Sequence, residues 1–270
     1  GPGPRRAAWP ELARDRTPWA WDPEAAVDVA ARPTADDRAG HALPERESLA
    51  LLAAAGVPTT RSLAAGDAAA AVAAWRELGG PVALKLDAPG LAHKSDVGGV
   101  ALRLDDEASV RAAAERLLGN GRRTGNPVRG LLVQPMAPAG IELIVGARRD
   151  PQVGPLVLVG LGGVFAEAID DVAVALAPID DASACRLLDR LRGTRLLDGF
   201  RGASAVDRKS VGRLVASVSR LIAADPAIME LDLNPVIAGP SGALAVDALI
   251  VLAAGADGRT DVPNGRSERR

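Results

Sequence analysis

The chain has 270 residues, 32 basic against 34 acidic side chains, and 48 % apolar content. That is material for one large core or two smaller ones, and the interspersed charges exclude the basic stripe of a nucleic-acid surface. No apolar run approaches the roughly 20 residues that span a bilayer, no secretory-type apolar stretch follows a basic start, and the one cysteine, Cys185, rules out an intrachain disulfide and fits a reducing cytoplasm.

Residues 1–43 carry Trp9, Trp19 and Trp21 among prolines and charges, with little periodicity. They read as a leader or linker, partly a tag at its "GPGP" start. From residue 44 the pattern becomes regular. "ERESLALLAAAGVP" predicts a helix stopped by Gly56 and Pro58, and "DAAAAVAAWRELGG" a helix capped by Asp67 and closed near Gly79. "PVALKLD" and "GVALRL" are short β-rich runs around a loop at 88–99. "DDEASVRAAAERLLG" predicts a capped amphipathic helix ending at Gly119. Strands then dominate in "GLLVQPM", "IELIVGARRD", "PLVLVGLGG" and "DVAVALAP". Helices follow around 181–192 and 207–223, and two strands, "AIMELDLNPV" and "ALAVDALIVL", close the pattern. The polar, Gly-rich tail at 256–270 predicts disorder. The sum is α+β, with hairpin-like strand pairs and flanking helices in two lobes, 44–130 and 131–255.

Only three lysines occur, Lys85, Lys94 and Lys209, and two of them fall in "LKLDAPGLAHKSDVGG" beside His93, one of two histidines. Alternation sets Lys85 on the face opposite Leu84 and Leu86, where it either reaches solvent or holds an anion in a cleft. Gly98 and Gly99 close a turn whose N–H groups suit phosphate, and Lys94 and Ser95 add a charge and a hydroxyl. On pattern alone, a phosphate loop and a solvated hairpin are equally open. In "MELDLNPV" Glu230, Asp232 and Asn234 share one strand face, and the repulsion between the carboxylates is relieved either by Mg²⁺ or by solvent at an edge. Asp247 lies alone in the apolar "LAVDALIVL" and needs a partner. The Gly-rich "VGLGGVFAEAIDD" is an incomplete dinucleotide fingerprint and fits better as a tight loop with Glu167 reaching inward. Pro135 and Pro138 interrupt a strand ladder, as a base-reading hinge or a plain turn would.

Taken together, "PVALKLDAPGLAHKSDVGGVALRL", "LLVQPMAPAGIELIVGARRDPQVGPLVLVGLGGVFAEAIDDVAVALAP" and "IMELDLNPVIA…GALAVDALI" resemble the ATP-grasp (β-type) part of ADP-forming, or NDP-forming, acyl-CoA synthetases, relatives of the succinyl-CoA synthetase β chain. The resemblance is collinear from about Pro44 to about Leu252. It implies an ATP-grasp fold of two α/β lobes with ATP or ADP in the cleft between them. It implies that Lys85 contacts nucleotide phosphates and that "HKSDVGG" is a mobile phosphate loop. His93 matches the histidine that takes phosphate transiently, with Lys94 beside it. Gln134, Pro135 and Met136 resemble the adenine hinge, and Glu142 the nucleotide-binding acid of its strand. Asp232, Asn234 and Asp247 match the Mg²⁺ ligands. The family's usual aromatic residue and arginine after "DVA" are Val174 and Ala175 here, so that if the arginine helps bind phosphate this chain has lost that contact.

The CoA-binding domain and the α-type phosphohistidine domain of the family do not occur in these residues. The resemblance therefore implies a cytoplasmic ligase subunit in a hetero-oligomer with a separate α-type partner, which would bring CoA and the carboxylic acid, or else the same domain excised from a fusion that carries those parts. Two alternatives remain: a stand-alone ATP-grasp ligase joining a carboxylate to an amine or thiol, in which His93 is dispensable, and a non-catalytic docking subunit that uses the Trp-rich leader.

Overall fold

The computed structural model describes residues 40–89, 91, 94–163, 171–200 and 204–253. Seventeen elements are formed within them. The first are β1 (Gly40–Ala42), α1 (Glu45–Ala54), β2 (Leu63–Ala65), α2 (Ala68–Leu78), β3 (Val82–Asp87), β4 (Val100–Leu104), α3 (Glu107–Arg123) and β5 (Gly130–Pro135). Next come β6 (Ile141–Asp150), β7 (Gly154–Leu161), β8 (Val172–Leu176), α4 (Asp181–Leu188), α5 (Thr194–Leu197) and α6 (Arg208–Ala224). The last are β9 (Ile228–Gly239), β10 (Gly242–Ala245) and β11 (Leu249–Ala253). The trytophan-bearing leader at 1–39 and the tail at 254–270 lie outside the described residues.

Four helices begin on an aspartate whose carboxylate accepts a first-turn N–H. Asp67 accepts from Ala70 at 2.8 Å, Asp106 from Ser109 at 2.9 Å, Asp180 from Ser183 at 2.7 Å and Asp207 from Ser210 at 3.1 Å. Each such bond satisfies a donor that the helix itself leaves unpaired.

The strands form two sheets, which is the α+β class expected from the sequence. The smaller has order β2-β5-β3-β4. The larger has order β1-β11-β9-β6-β7-β8, with β10 also paired to β9. Under the smaller sheet, Leu84, Leu86, Leu131 and Val133 pack with Val72 of α2 and Val110 and Leu117 of α3. In the larger body Val145, Ala147, Val157 and Val159 pack with Val211, Leu214, Val218 and Ile222 of α6.

Several sequence expectations are corrected. Leu49 and Leu52 of α1 join the larger core, and β1 pairs with β11. The apolar residues of 40–57 thus belong to the larger core although the segment was assigned to the 44–130 lobe, and the end of the leader is a strand. Helix α3 does not stop at Gly119 but runs to Arg123. Gly121 permits this, because a Cβ there would stand 2.9 Å from both Leu86 methyls and from Val128. The short α5 was not anticipated.

The expected strand "ALAVDALIVL" is broken at 246–248 into β10 and β11. Both halves nevertheless lie against β9 in one register. Ala245 faces Val236, Val246 donates its N–H to Pro235 O at 3.1 Å, and Leu249 faces Asp232. Continuing that register across the break at 246–248 sets Asp247 opposite Asn234.

Candidate functional site

Strand β3 alternates as predicted. Leu84 and Leu86 enter the smaller core, and Lys85 turns to the other face, where it is buried rather than solvated. Its Nζ donates to Glu45 Oε1 at 2.8 Å and to Val246 O at 2.8 Å, and it stands 3.2 Å from Asp247 Oδ2. Lys94, from the loop after β3, donates to the other carboxylate oxygen of Glu45, Oε2. Gln134 on β5 donates to Glu45 Oε1 at 3.1 Å and to Ser62 Oγ at 2.8 Å. One buried carboxylate thus gathers both lysines and an amide. A buried charge persists only where it is paired and hydrogen-bonded in this way.

The two acids of the network are held differently. Burial works to raise the Glu45 carboxyl, but the charges of Lys85 and Lys94 and their hydrogen bonds more than offset it, so Glu45 stays below its ordinary value. For Asp247 burial prevails. Lys85 opposes it only in part, the Glu45 charge adds to it, and the carboxyl is raised. Asp247 is also the open end of the network, with 36 % side-chain exposure against 3 % for Glu45 and 9 % for Lys85. A ligand can reach this group without unpacking the rest.

Asp247 adjoins the acidic face of β9. Leu231 and Leu233 are buried in the larger core, so Asp232 and Asn234, half-buried, lie on the opposite strand face. The register that sets Asp247 opposite Asn234 brings two carboxylates and an amide oxygen to one region of that face. Among the described residues there is no group of three or more His, Cys, Asp or Glu side chains arranged to hold a metal. Asp232, Asn234 and Asp247 offer only oxygen as ligand atoms, the donor type that a hard cation such as Mg²⁺ takes.

The remaining expected residues are distributed around these two clusters. Ser95 is exposed. The Gly98 and Gly99 N–H groups donate to Ser95 O at 3.0 Å and Lys94 O at 2.7 Å, so the turn spends on itself the donors expected to cradle phosphate. The Gln134 side chain serves Glu45, Pro135 ends β5, and Met136 donates its N–H to Pro81 O at 2.9 Å. Glu142 on β6 is exposed, and its carbonyl accepts from Gly162 N–H at 2.7 Å. Ala175 on β8 packs against the larger core. His93 and Glu167 lie outside the described residues.

Sequence reasoning missed Glu45, whose only signal was its place in the first turn of a helix, where acids are common. It also missed Asp171, a buried carboxylate that accepts the Arg192 and Gly193 N–H groups at 2.7 Å each and holds the turn before α5.

Residues 34–252 match the family model described as the ATP-grasp domain. The chain is 33 % identical over 212 residues to the acetate–CoA ligase (ADP-forming) I subunit beta of Pyrococcus furiosus, covering 78 % of this chain and 91 % of that one. It is 40 % identical over 220 residues to a trans-feruloyl-CoA synthase of an unknown prokaryotic organism, where the match covers 80 % of this chain and only 31 % of the longer relative. The chain therefore spans about a third of that relative's length. Among solved structures, the Ca. Korarchaeum cryptofilum dinucleotide forming acetyl-coenzyme A synthetase 1, in complex with coenzyme A, Ca-AMPCP and HgCl⁺, is similar at a TM-score of 0.76 and 41 % identity, over 78 % of this chain and 93 % of that chain.

Proposed function

Because the chain belongs to the ATP-grasp domain family, we propose that it is the nucleotide-binding part of an ADP-forming acyl-CoA ligase and works with an α-type partner that brings CoA and the carboxylic acid. The observation that carries this function is the contact of Lys85, from the smaller sheet, with Asp247, which lies in register beside Asn234 and Asp232 of the larger one. That contact joins a lysine of one sheet to a carboxylate of the other beside further oxygen ligands, the combination a metal-bound phosphate would need. The metal–nucleotide analogue and coenzyme A held by the Korarchaeum neighbour, and the subunit name of the Pyrococcus relative, support it.

Asp232, Asn234 and Asp247 would hold Mg²⁺, which when bound neutralises phosphate charge. Lys85 and Lys94 supply positive charge to the phosphate oxygens of ATP, or of ADP in the reverse direction. Phosphoryl transfer asks mainly for such neutralisation and for alignment. The backbone at Gln134–Met136 and the carboxylate of Glu142 would contact the nucleoside, and Ser95, Gly98 and Gly99 the phosphates once their turn opens. The His93 imidazole takes the terminal phosphoryl group as ADP leaves and passes it to a histidine of the partner. Splitting the transfer through a covalent carrier replaces one difficult step by two easier ones. The carboxylate of the acid then takes the phosphoryl group from that histidine, and the CoA sulfur attacks the acyl carbon of the resulting acyl phosphate as inorganic phosphate leaves.

Radiolabelled ATP with Mg²⁺ is expected to label the chain in an acid-labile, base-stable way, and the label is lost in His93→Ala. Undiminished labelling of His93→Ala would remove the relay. Acyl-CoA made from acid, CoA and ATP by the purified chain alone would remove the partner.

A further inference from the structure

We propose that Glu45 is a positioning residue of the nucleotide site, yoking the strand lysine Lys85 to the loop lysine Lys94. The inference rests on the nucleotide-site function above. Three observations lead to it. First, Glu45 divides its oxygens, Oε1 to Lys85 at 2.8 Å and Oε2 to Lys94. Neutralising Lys85 alone does not require this, since Asp247 at 3.2 Å and Val246 O at 2.8 Å already face that ammonium.

Second, the carboxylate is itself held in place. Gln134 donates to Oε1 at 3.1 Å and is fixed in turn by Ser62 at 2.8 Å. Glu45 opens α1, where the positive end of the helix favours its charge. Third, α1 is anchored through Leu49 and Leu52 in the core of the larger body, whereas both lysines come from the smaller sheet and its loop. The yoke therefore fixes the phosphate-binding cations relative to the strand that carries Asp232 and Asn234. A two-cation site is effective only when both charges stand where the phosphates arrive, because groups fixed beforehand need no ordering when the ligand binds.

The action on Lys94 is the distinctive part. Lys94 leads into the glycine turn, and Glu45 is its ion-pair partner among the described residues. Without Glu45 the Lys94 ammonium must be ordered by the nucleotide itself.

Calorimetric titration of the whole chain with Mg²⁺–ADP tests this in four forms: wild type, Glu45→Gln, Lys94→Met and the double variant. Glu45→Gln is expected to weaken binding about tenfold, the scale of one charge-assisted hydrogen bond. Lys94→Met is expected to weaken it similarly, and the double variant no further than Lys94→Met alone. If wild type fails to bind, the nucleotide-site function falls and takes the proposal with it. If Lys94→Met is weak and Glu45→Gln binds as wild type, only the proposal falls. It falls equally if the two effects add in full, because Glu45 then acts other than through Lys94. Circular dichroism checks that Glu45→Gln is folded. Should it not fold, Glu45→Asp keeps the charge and loses one carbon of reach, and weaker binding is expected there too. Wild-type affinity of Glu45→Asp, or failure of both variants to fold, would leave Glu45 a purely structural role and overturn the proposal.

Discussion

Lys85 meets three acceptors, the Glu45 and Asp247 carboxylates and the Val246 carbonyl, in a region almost closed to water. Lys85→Met keeps the side chain's length and removes its charge. Glu45 would then be buried with Lys94 and Gln134 as its partners, and breaking one side of a buried ion pair costs about 3–5 kcal/mol. The expected outcome is a loss of that size in urea unfolding, with a smaller loss for Lys94→Met, whose ammonium is less deeply placed at 16 % side-chain exposure. How legible this was differs by residue. Lys85's face followed from β alternation, because its neighbours Leu84 and Leu86 had to enter a core. Its partner did not follow, since Glu45 is 40 residues upstream and 89 from Gln134. Such pairings arise only when α1 packs against the other body, and no local pattern encodes them. The glycine turn was recognised from its residues, but not that its N–H groups are spent on its own carbonyls.

At the scale of elements, the Asp67 cap of α2 and the capped start of α3 were legible because capping is a local event within four residues, whereas the Asp180 and Asp207 caps and the course of α3 were not. Gly119 looks like a terminator, yet the helix passes both it and Gly121. The two glycines differ only in what a methyl would meet. At Gly119 the nearest group is Arg123 Nη1, 4.0 Å away, whereas at Gly121 the Leu86 and Val128 methyls are at 2.9 Å. Gly119→Ala is therefore expected to stabilise by up to about 1 kcal/mol through helix propensity, and Gly121→Ala to destabilise by about 1–3 kcal/mol through overpacking. Thermal or urea melts of the pair decide it, and equal effects would contradict the packing account. The caps carry a pH signature. The Ser210 hydroxyl and N–H lower the Asp207 carboxyl, and the Ser109 N–H lowers that of Asp106. A carboxyl lowered in the folded state contributes stability that is complete above its unfolded value, about 3.9, and is lost as pH falls through its folded value. Acid sensitivity is thus expected below about pH 4. The double variant Asp106→Asn/Asp207→Asn keeps acceptors that do not titrate and should lose less stability over that range in urea melts.

At the scale of the molecule, two sheets and flanking helices could be anticipated from the run of elements, but the order of strands could not. β9 lies between β6 and β11, and β1 crosses from residue 40 to pair with residue 253. Hydrophobic period says which face of a strand is buried and not which strand lies beside it. That order is nevertheless what assembles the site. It carries β10 and β11 past β9 in one register, interrupted at Asp247, and it returns α1 to the same place. The outcome is a cluster of two cations, Lys85 and Lys94, and two acids, Glu45 and Asp247, in which the pairing is uneven. Glu45 takes most of the positive charge, and Asp247 is left with a raised carboxyl next to the Asp232 face. In the proposed function that carboxyl would be the one to meet Mg²⁺. Mg²⁺–ADP should accordingly raise the melting temperature, since a ligand bound only by the folded state stabilises it by about 2.7 kcal/mol at a hundred times its Kd. EDTA should remove most of that gain while leaving ADP in place. Asp247→Asn keeps an oxygen for the Ala248 N–H, which Asp247 now accepts at 2.8 Å. It should be at least as stable as wild type without ligand and should lose the metal-dependent increment. If Asp247→Asn responds to Mg²⁺–ADP as wild type does, the cation is held elsewhere and the register of β10 and β11 against β9 has another purpose.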